Sequence, residues 1–202
     1  MNEGYIDLYK KTPTDRISNK ARVIRSLTSL TKTYIKKHDN IFYFRFNITL
    51  NDNISLPKNV SSIGPILSTF TRALTNLYRT SRYDPSFFRI KDPDLNKYYF
   101  LFFLKGDVVN DVSLIFHIVN VVWDLIVGKE YQKNIELCSD LCGVINRYDF
   151  NSSLEHEHFL NTLNELVDKY TIVTQGKNHT FSMSKLTKEE WRHAKQPLTI
   201  IS

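Results

Sequence analysis

The stretch that most limits how this chain can fold is NKYYFLFFLKG, residues 96–106. Tyr98, Tyr99, Phe100, Phe102 and Phe103 make five of six consecutive positions aromatic. That density fits a buried pleated strand, and Gly106 closes it in a turn. A buried strand needs neighbours, and the sequence offers them. SFFRIKD (86–92) can pair with it as a hairpin across PDLN. NIFYFRFNITL (40–50) has the same aromatic and β-branched character; Phe42, Phe44 and Phe46 share one face, and Tyr43, Arg45 and Asn47 the other. LCGVINRYDF (141–150) and HTFSMSK (179–185) read as further strands. With 202 residues, 42% of them hydrophobic, the chain is long enough to bury one substantial core.

Helices alternate with these strands. From about Asp15 to Lys37, Ile17, Ala21, Ile24, Leu27, Leu30 and Tyr34 recur at three- and four-residue intervals, with Thr14 as N-cap. A second helix runs from about Ser61 to Ser81 and carries Arg72, Arg79 and Arg82 near its surface or end. The most apolar run, Asp111 to Gly128, is shorter than a membrane span and is broken by His117, Asn120 and Asp124. It reads as a core helix with His117 hydrogen-bonded inside, capped by Asn110 or Asp111 and ended by Gly128. Residues 152–170 form a last helix with Leu154, Phe159, Leu163 and Leu166 inward. The order predicts an α+β fold: an antiparallel sheet with helices packed on one side, plus a basic N-terminal helix. Residues 1–14 read as a polar leader, 15–186 as a single domain and 187–202 as a tail.

Charge narrows the function classes. The net charge is +6, and residues 1–40 hold nine Lys and Arg against four acids. Arg16, Lys20, Arg22, Arg25, Lys32 and Lys36 lie on the first helix and suit a phosphate backbone, because each neutralised phosphate releases counterions. Arg45 is a further expected nucleic-acid contact, and Tyr43 beside it is placed to stack on unpaired bases. Cys138 and Cys142 are four apart, which fits reduced thiols on neighbouring helical turns and not a disulfide framework. The amino terminus lacks an apolar signal-peptide segment, so a cytoplasmic location without membrane association is expected. His156-Glu157-His158 spells His-x-His, but on a helix such residues diverge by about 200° and do not share a ligand face. The six glycines form no phosphate-cradling loop, and no cofactor or metal site is expected.

Several of these segments together resemble a family, the inovirus-type replication proteins, also described as the YagK/YfjJ C-terminal domain. YFRFNIT is similar to the family's strand ending near Arg-x-Asp. NKYYFLFFLKG followed by DVVNDV looks like its Gly-x-His-x-His strand, Phe-rich segment and Gly turn. The helix bearing Trp123 matches a Trp helix, and Gly143, Ile145, Arg147 and Asp149 match Gly-x-Ile-x-Arg-x-Asp. ELVDK resembles a Tyr-Leu-x-Lys element, and Thr180, Phe181 and Ser184 match Thr-Phe-x-x-Ser. The likeness spans about Arg22 to Lys185. It implies an HUH, ferredoxin-like palm related to rolling-circle replication initiators, a bacterial phage or mobile-element setting, and a phosphate contact for Arg147.

In such a site two histidines hold a divalent metal and a helix tyrosine attacks the phosphate. Here the histidine positions fall on Lys97 and Tyr99, or on Tyr98 and Phe100 in the alternative register. The tyrosine position falls on Leu166, one turn before Tyr170, and Asn47 stands where an acid is expected. The resemblance therefore implies a catalytically degenerate protein, leaning away from an enzyme, that binds single-stranded or hairpin DNA without cleaving it. The alternative is a protein-interaction module acting on a phage or host factor. A third reading is an active nickase using Tyr170 and an improvised metal site.

Overall fold

This computed structural model describes residues 19–49, 63–92, 97–106, 112–128, 135–148, 154–173 and 181–185. The elements in chain order are α1 (Asn19–Lys37), β1 (Asn40–Thr49), α2 (Ile63–Thr80), β2 (Ser86–Asp92), β3 (Lys97–Lys105), α3 (Val112–Val127), β4 (Ile135–Asn146), α4 (Leu154–Val173) and β5 (Phe181–Met183). The five strands form one sheet in the order β4-β1-β3-β2-β5, and every neighbouring pair is antiparallel. The α+β class with an antiparallel sheet is therefore as expected. From β1 to β4 the chain follows a β-α-β-β-α-β order, in which α2 and α3 each link two parallel strands separated by an antiparallel one.

The alternation of side chains along β1 sorts the core into two halves. Phe42, Phe44, Phe46 and Ile48, with Tyr98, Phe100, Phe102 and Leu104 of β3, pack against α2 and α3. Aromatic rings lie at its centre. The Phe46 and Phe100 rings stack at 4.8 Å, and Phe70 and Trp123 meet edge to face at 5.3 Å. Ile41 and Tyr43, with Tyr99, Leu101 and Phe103, pack instead against Val23, Leu27, Leu30, Tyr34 and Ile35 of α1 and Phe159, Leu163, Leu166 and Val167 of α4. Helices thus cover one face as expected, and the structure adds a second layer on the other. The basic N-terminal helix does not stand apart from the domain; it belongs to that second layer.

Several expectations need correcting. β4 begins at Ile135, six residues before the expected start, and takes in both cysteines, which are not on helical turns. The cause is a bulge: Tyr43 pairs with Gly143 but Arg45 with Cys138, so two steps along β1 match five along β4. Inside it the Cys142 thiol contacts the Cys138 carbonyl at 3.2 Å, a four-residue spacing that imitates a helix. Gly143 answers a close approach, since a Cβ there would lie 2.8 Å from the Tyr43 hydroxyl. His117 is exposed and not a core histidine. Gly128 does end α3, at φ 115°, with its N–H donating to the Asp124 carbonyl. Asp149, the leader, the tail and Thr180 lie outside the described residues.

The turn from α2 into β2 is tied down by the end of α1. Arg82 and Asp84 take left-handed backbone conformations, φ 64° and 45°. The Tyr34 hydroxyl donates to the Asp84 carbonyl, and the Asp84 carboxylate meets Lys37 at 2.6 Å and His38 at 2.8 Å. No helix among the described residues is long and apolar enough to cross a membrane.

Candidate nucleic-acid interface

Asn47, Lys97 and Tyr99 lie on one face of the sheet, whereas Tyr98 and Phe100 lie on the other. Asn47 of β1 pairs directly with Tyr99 of β3 on one side and Glu136 of β4 on the other, and Lys97 and Arg45 share that face. What fills the spot is a polar seam of opposite charges. Glu136 accepts from Lys97 at 3.2 Å and from Asn47 at 3.3 Å, and those two partners hold its carboxyl below the usual range. Arg45 donates to Glu165 of α4 at 2.8 Å, and its guanidinium lies 5.4 Å from the Tyr99 ring centre. Asn47 also donates to the Cys138 sulfur at 3.1 Å. Burial pushes the Cys138 thiol up, and the Cys142 thiol to about 11, so both stay protonated at neutral pH. A Lys97 ammonium at this place opposes a divalent cation electrostatically. Among the described residues no group of three or more His, Cys, Asp or Glu is arranged to hold a metal. Leu166 is fully buried, and the Tyr170 side chain lies outside the described residues.

The basic stripe expected on α1 does not form one open face. Arg16 lies outside the described residues, as do the side chains of Lys20 and Arg22. Arg25 is exposed, but Lys32 and Lys36 are half-buried and engaged by neighbouring groups. Burial, and then the charge of Lys36, draw the Lys32 ammonium below its ordinary pKa. Between these cations the helix is closed over, with Ser29, Thr31 and Thr33 all buried.

Two further expectations are corrected outright. Tyr43 is 0% exposed; its ring meets Phe159 edge to face at 5.0 Å, and its hydroxyl is 2.8 Å from His158 Nδ1. No base can stack on it. Arg45 is 3% exposed beneath α4 and committed to Glu165, so it does not reach a phosphate. Sheets of this connectivity that bind single strands use an open aromatic face, and here α1 and α4 cover it. Arg147 is exposed in the turn after β4, where it reaches the Lys36 carbonyl at 3.3 Å and Asp39 at 3.8 Å. It closes the C-terminal end of α1, a favourable place for a cation. His158 is exposed, and its Nδ1 is the partner of the Tyr43 hydroxyl.

The cations that do converge are on the opposite side of the molecule. Arg72 and Arg79 are seven residues apart on α2, two turns along one face, and Arg89 comes from the neighbouring β2. Together they line a hollow of about 450 Å³, with Thr75 and Asn76 beside them. Thr75 and Arg79 also border an adjoining hollow of about 480 Å³ whose wall carries Lys37 and Lys185. No Asp or Glu among the described residues lines either hollow.

Arg89 is the unusual member. One of its terminal nitrogens is buried with no hydrogen-bond partner, as is the Thr75 hydroxyl, and burial pulls its pKa down. A guanidinium in that setting has lost hydration without gaining an anion. An oxyanion in the hollow would accept from Arg89 and Thr75 while Arg72 and Arg79 supply bidentate donors. The sequence placed Arg72 and Arg79 on the surface of α2. Only the sheet brings Arg89 to them. Comparison with protein-family models, with curated proteins and with solved structures found no match to this chain.

Proposed function

We propose that the chain binds nucleic acid without cleaving it, and that the arginine-lined hollow between α2 and β2 holds the phosphate backbone. One observation carries the reading: Arg89 has a buried, unpartnered nitrogen beside Arg72 and Arg79 in a hollow with no acidic lining. Three guanidiniums, a threonine and an asparagine form a donor set suited to successive phosphates, which fix position without reading bases. The net charge of +6 favours encounter with a polyanion. Ion pairing at the seam around Asn47 and Lys97 supports the view of a degenerate HUH-like palm, with the metal position taken by a lysine and its glutamate. Single-stranded or hairpin DNA of a phage or mobile element is the substrate class that the family likeness brings.

Fluorescence anisotropy with labelled single-stranded, hairpin and duplex DNA across a salt series tests this. Binding is expected to be micromolar or tighter and to weaken steeply with salt. In Arg72→Ala/Arg79→Ala the affinity should fall about tenfold or more, and the salt slope should shrink by roughly 0.7 per lost single-strand contact. Arg25→Ala should change it little. No binding at low salt, or a double variant that binds like the parent, would overturn the proposal. So would Mg²⁺- or Mn²⁺-dependent nicking that disappears in Tyr170→Phe.

A further inference from the structure

α3 divides its surface into a buried apolar face, a polar row of Ser113, His117, Asn120 and Asp124, and a second apolar row. In this fold only one side is enclosed, where Ile115, Val119, Val122 and Trp123 meet the sheet and α2. On the other side Leu114, Val121 and Leu125 are 49%, 40% and 81% exposed. They are seven and four residues apart, one straight stripe two turns and then one turn long, with His117 and Ile118 between. The helix is held to α2 from its buried side, where Tyr78 donates to the Ile115 carbonyl at 3.0 Å. Three of the six large exposed hydrophobics among the described residues therefore lie on one helix face.

We propose that this stripe is the seam of a homodimer, α3 against α3 of a second copy. Charge chooses the occupant. α3 contains no Lys or Arg in 16 residues, whereas each of the other three helices carries at least one. A polyanion has nothing to grip there, and an acidic partner protein would be drawn to the arginines of α2 instead. A lipid surface is disfavoured as well, because interfacial helices flank their apolar face with Lys and Arg. Two copies at +6 repel over most of their surface, and α3 itself adds no cation to a contact between them. About a two-fold axis the stripe complements itself: Leu114 of one copy faces Leu125 of the other, and Ile118 faces Val121. The two arginine hollows stay open, since they line the β2 side of α2.

Sedimentation equilibrium of the full chain from about 5 to 200 µM tests the seam. One helix per copy is a small contact, so a dissociation constant on the order of tens of micromolar is expected. Association should strengthen from 0.1 to 0.5 M salt as the repulsion is screened, opposite in sign to DNA binding. Leu125→Lys and Leu114→Lys alter exposed positions; each should remain monomeric throughout while keeping the parent circular dichroism and melting temperature. A parent chain that stays monomeric at 200 µM, or a Leu125→Lys variant that dimerises equally well, would overturn the inference. Co-sedimentation with phosphatidylcholine–phosphatidylglycerol vesicles that Leu125→Lys abolishes would also overturn it, in favour of a lipid surface.

Discussion

The two faces of the sheet are built on opposite terms. Toward α2 and α3, β1 presents Phe42, Phe44, Phe46 and Ile48, none of which needs a polar partner. Toward α1 and α4 the same strand presents Ile41 and Tyr43, then Arg45 and Asn47, both under 5% exposed. Along β1 the first face is held by area and ring geometry. The second needs a partner for each polar group, and those partners come from far along the chain: His158 for Tyr43, Glu165 for Arg45, Glu136 for Asn47. Even so, the satisfaction is incomplete, with Arg45 Nε and Asn47 Oδ1 left without partners. An apolar face tolerates imprecision in what covers it; a polar one specifies its cover, at a cost in stability.

Mutation can break this contrast. The largest effect is expected from Phe100→Ala on the aromatic face, which removes the ring stacked on Phe46 and set edge to face with Phe70. A loss of about 4 kcal/mol in denaturant unfolding is expected, with the spread set by how far the cavity collapses. On the polar face, Glu165→Ala leaves Arg45 buried beside Tyr99 without its carboxylate, at a cost of about 3 kcal/mol. The double change Arg45→Met with Glu165→Gln removes the charge and its partner together, and should return the stability to within about 1 kcal/mol of the parent. If Glu165→Ala proved neutral, the two faces would not differ in kind.

The smallest effect lies at the clamp between α1 and the turn before β2. Burial opposes the Asp84 carboxylate, but Lys37 and His38 outweigh it and hold the group below its ordinary value of 3.8. A depressed carboxyl contributes stability that is fully present above the unfolded value and is lost as pH falls through the folded one. Asp84→Asn keeps a residue that tolerates the left-handed backbone. Its melting temperature should fall below the parent's between pH 5 and 7, and the gap should close below about pH 4. Asp84 is 38% exposed, so the difference should not exceed about 1 kcal/mol. A gap that widens in acid would mean that the clamp is not electrostatic.

The same contrast explains what could be read early. NKYYFLFFLKG, its hairpin with SFFRIKD and the α3 helix with Gly128 behind it announce themselves, because dense aromatic and apolar runs leave the chain few alternatives. The start of β4 did not, because the bulge between Cys138 and Gly143 breaks the period of two. Arg45 and Tyr43 look like surface residues in a one-dimensional pattern, since alternation separates two faces without saying that both are covered. Arg72 and Arg79 were visible on α2, whereas Arg89 sat unremarked in a strand.

By itself, then, the sequence determined the elements and the aromatic half of the core, because those follow from local periodicity and composition. Tertiary structure alone decided which charges are spent inside the fold and which gather around a hollow. Lys32, Lys36 and Arg45 are drawn into the domain by α1 and α4, while Arg72, Arg79 and Arg89 meet across a helix and a strand. A charge acts according to its distance from water and from other charges, and both distances are set only when the sheet closes.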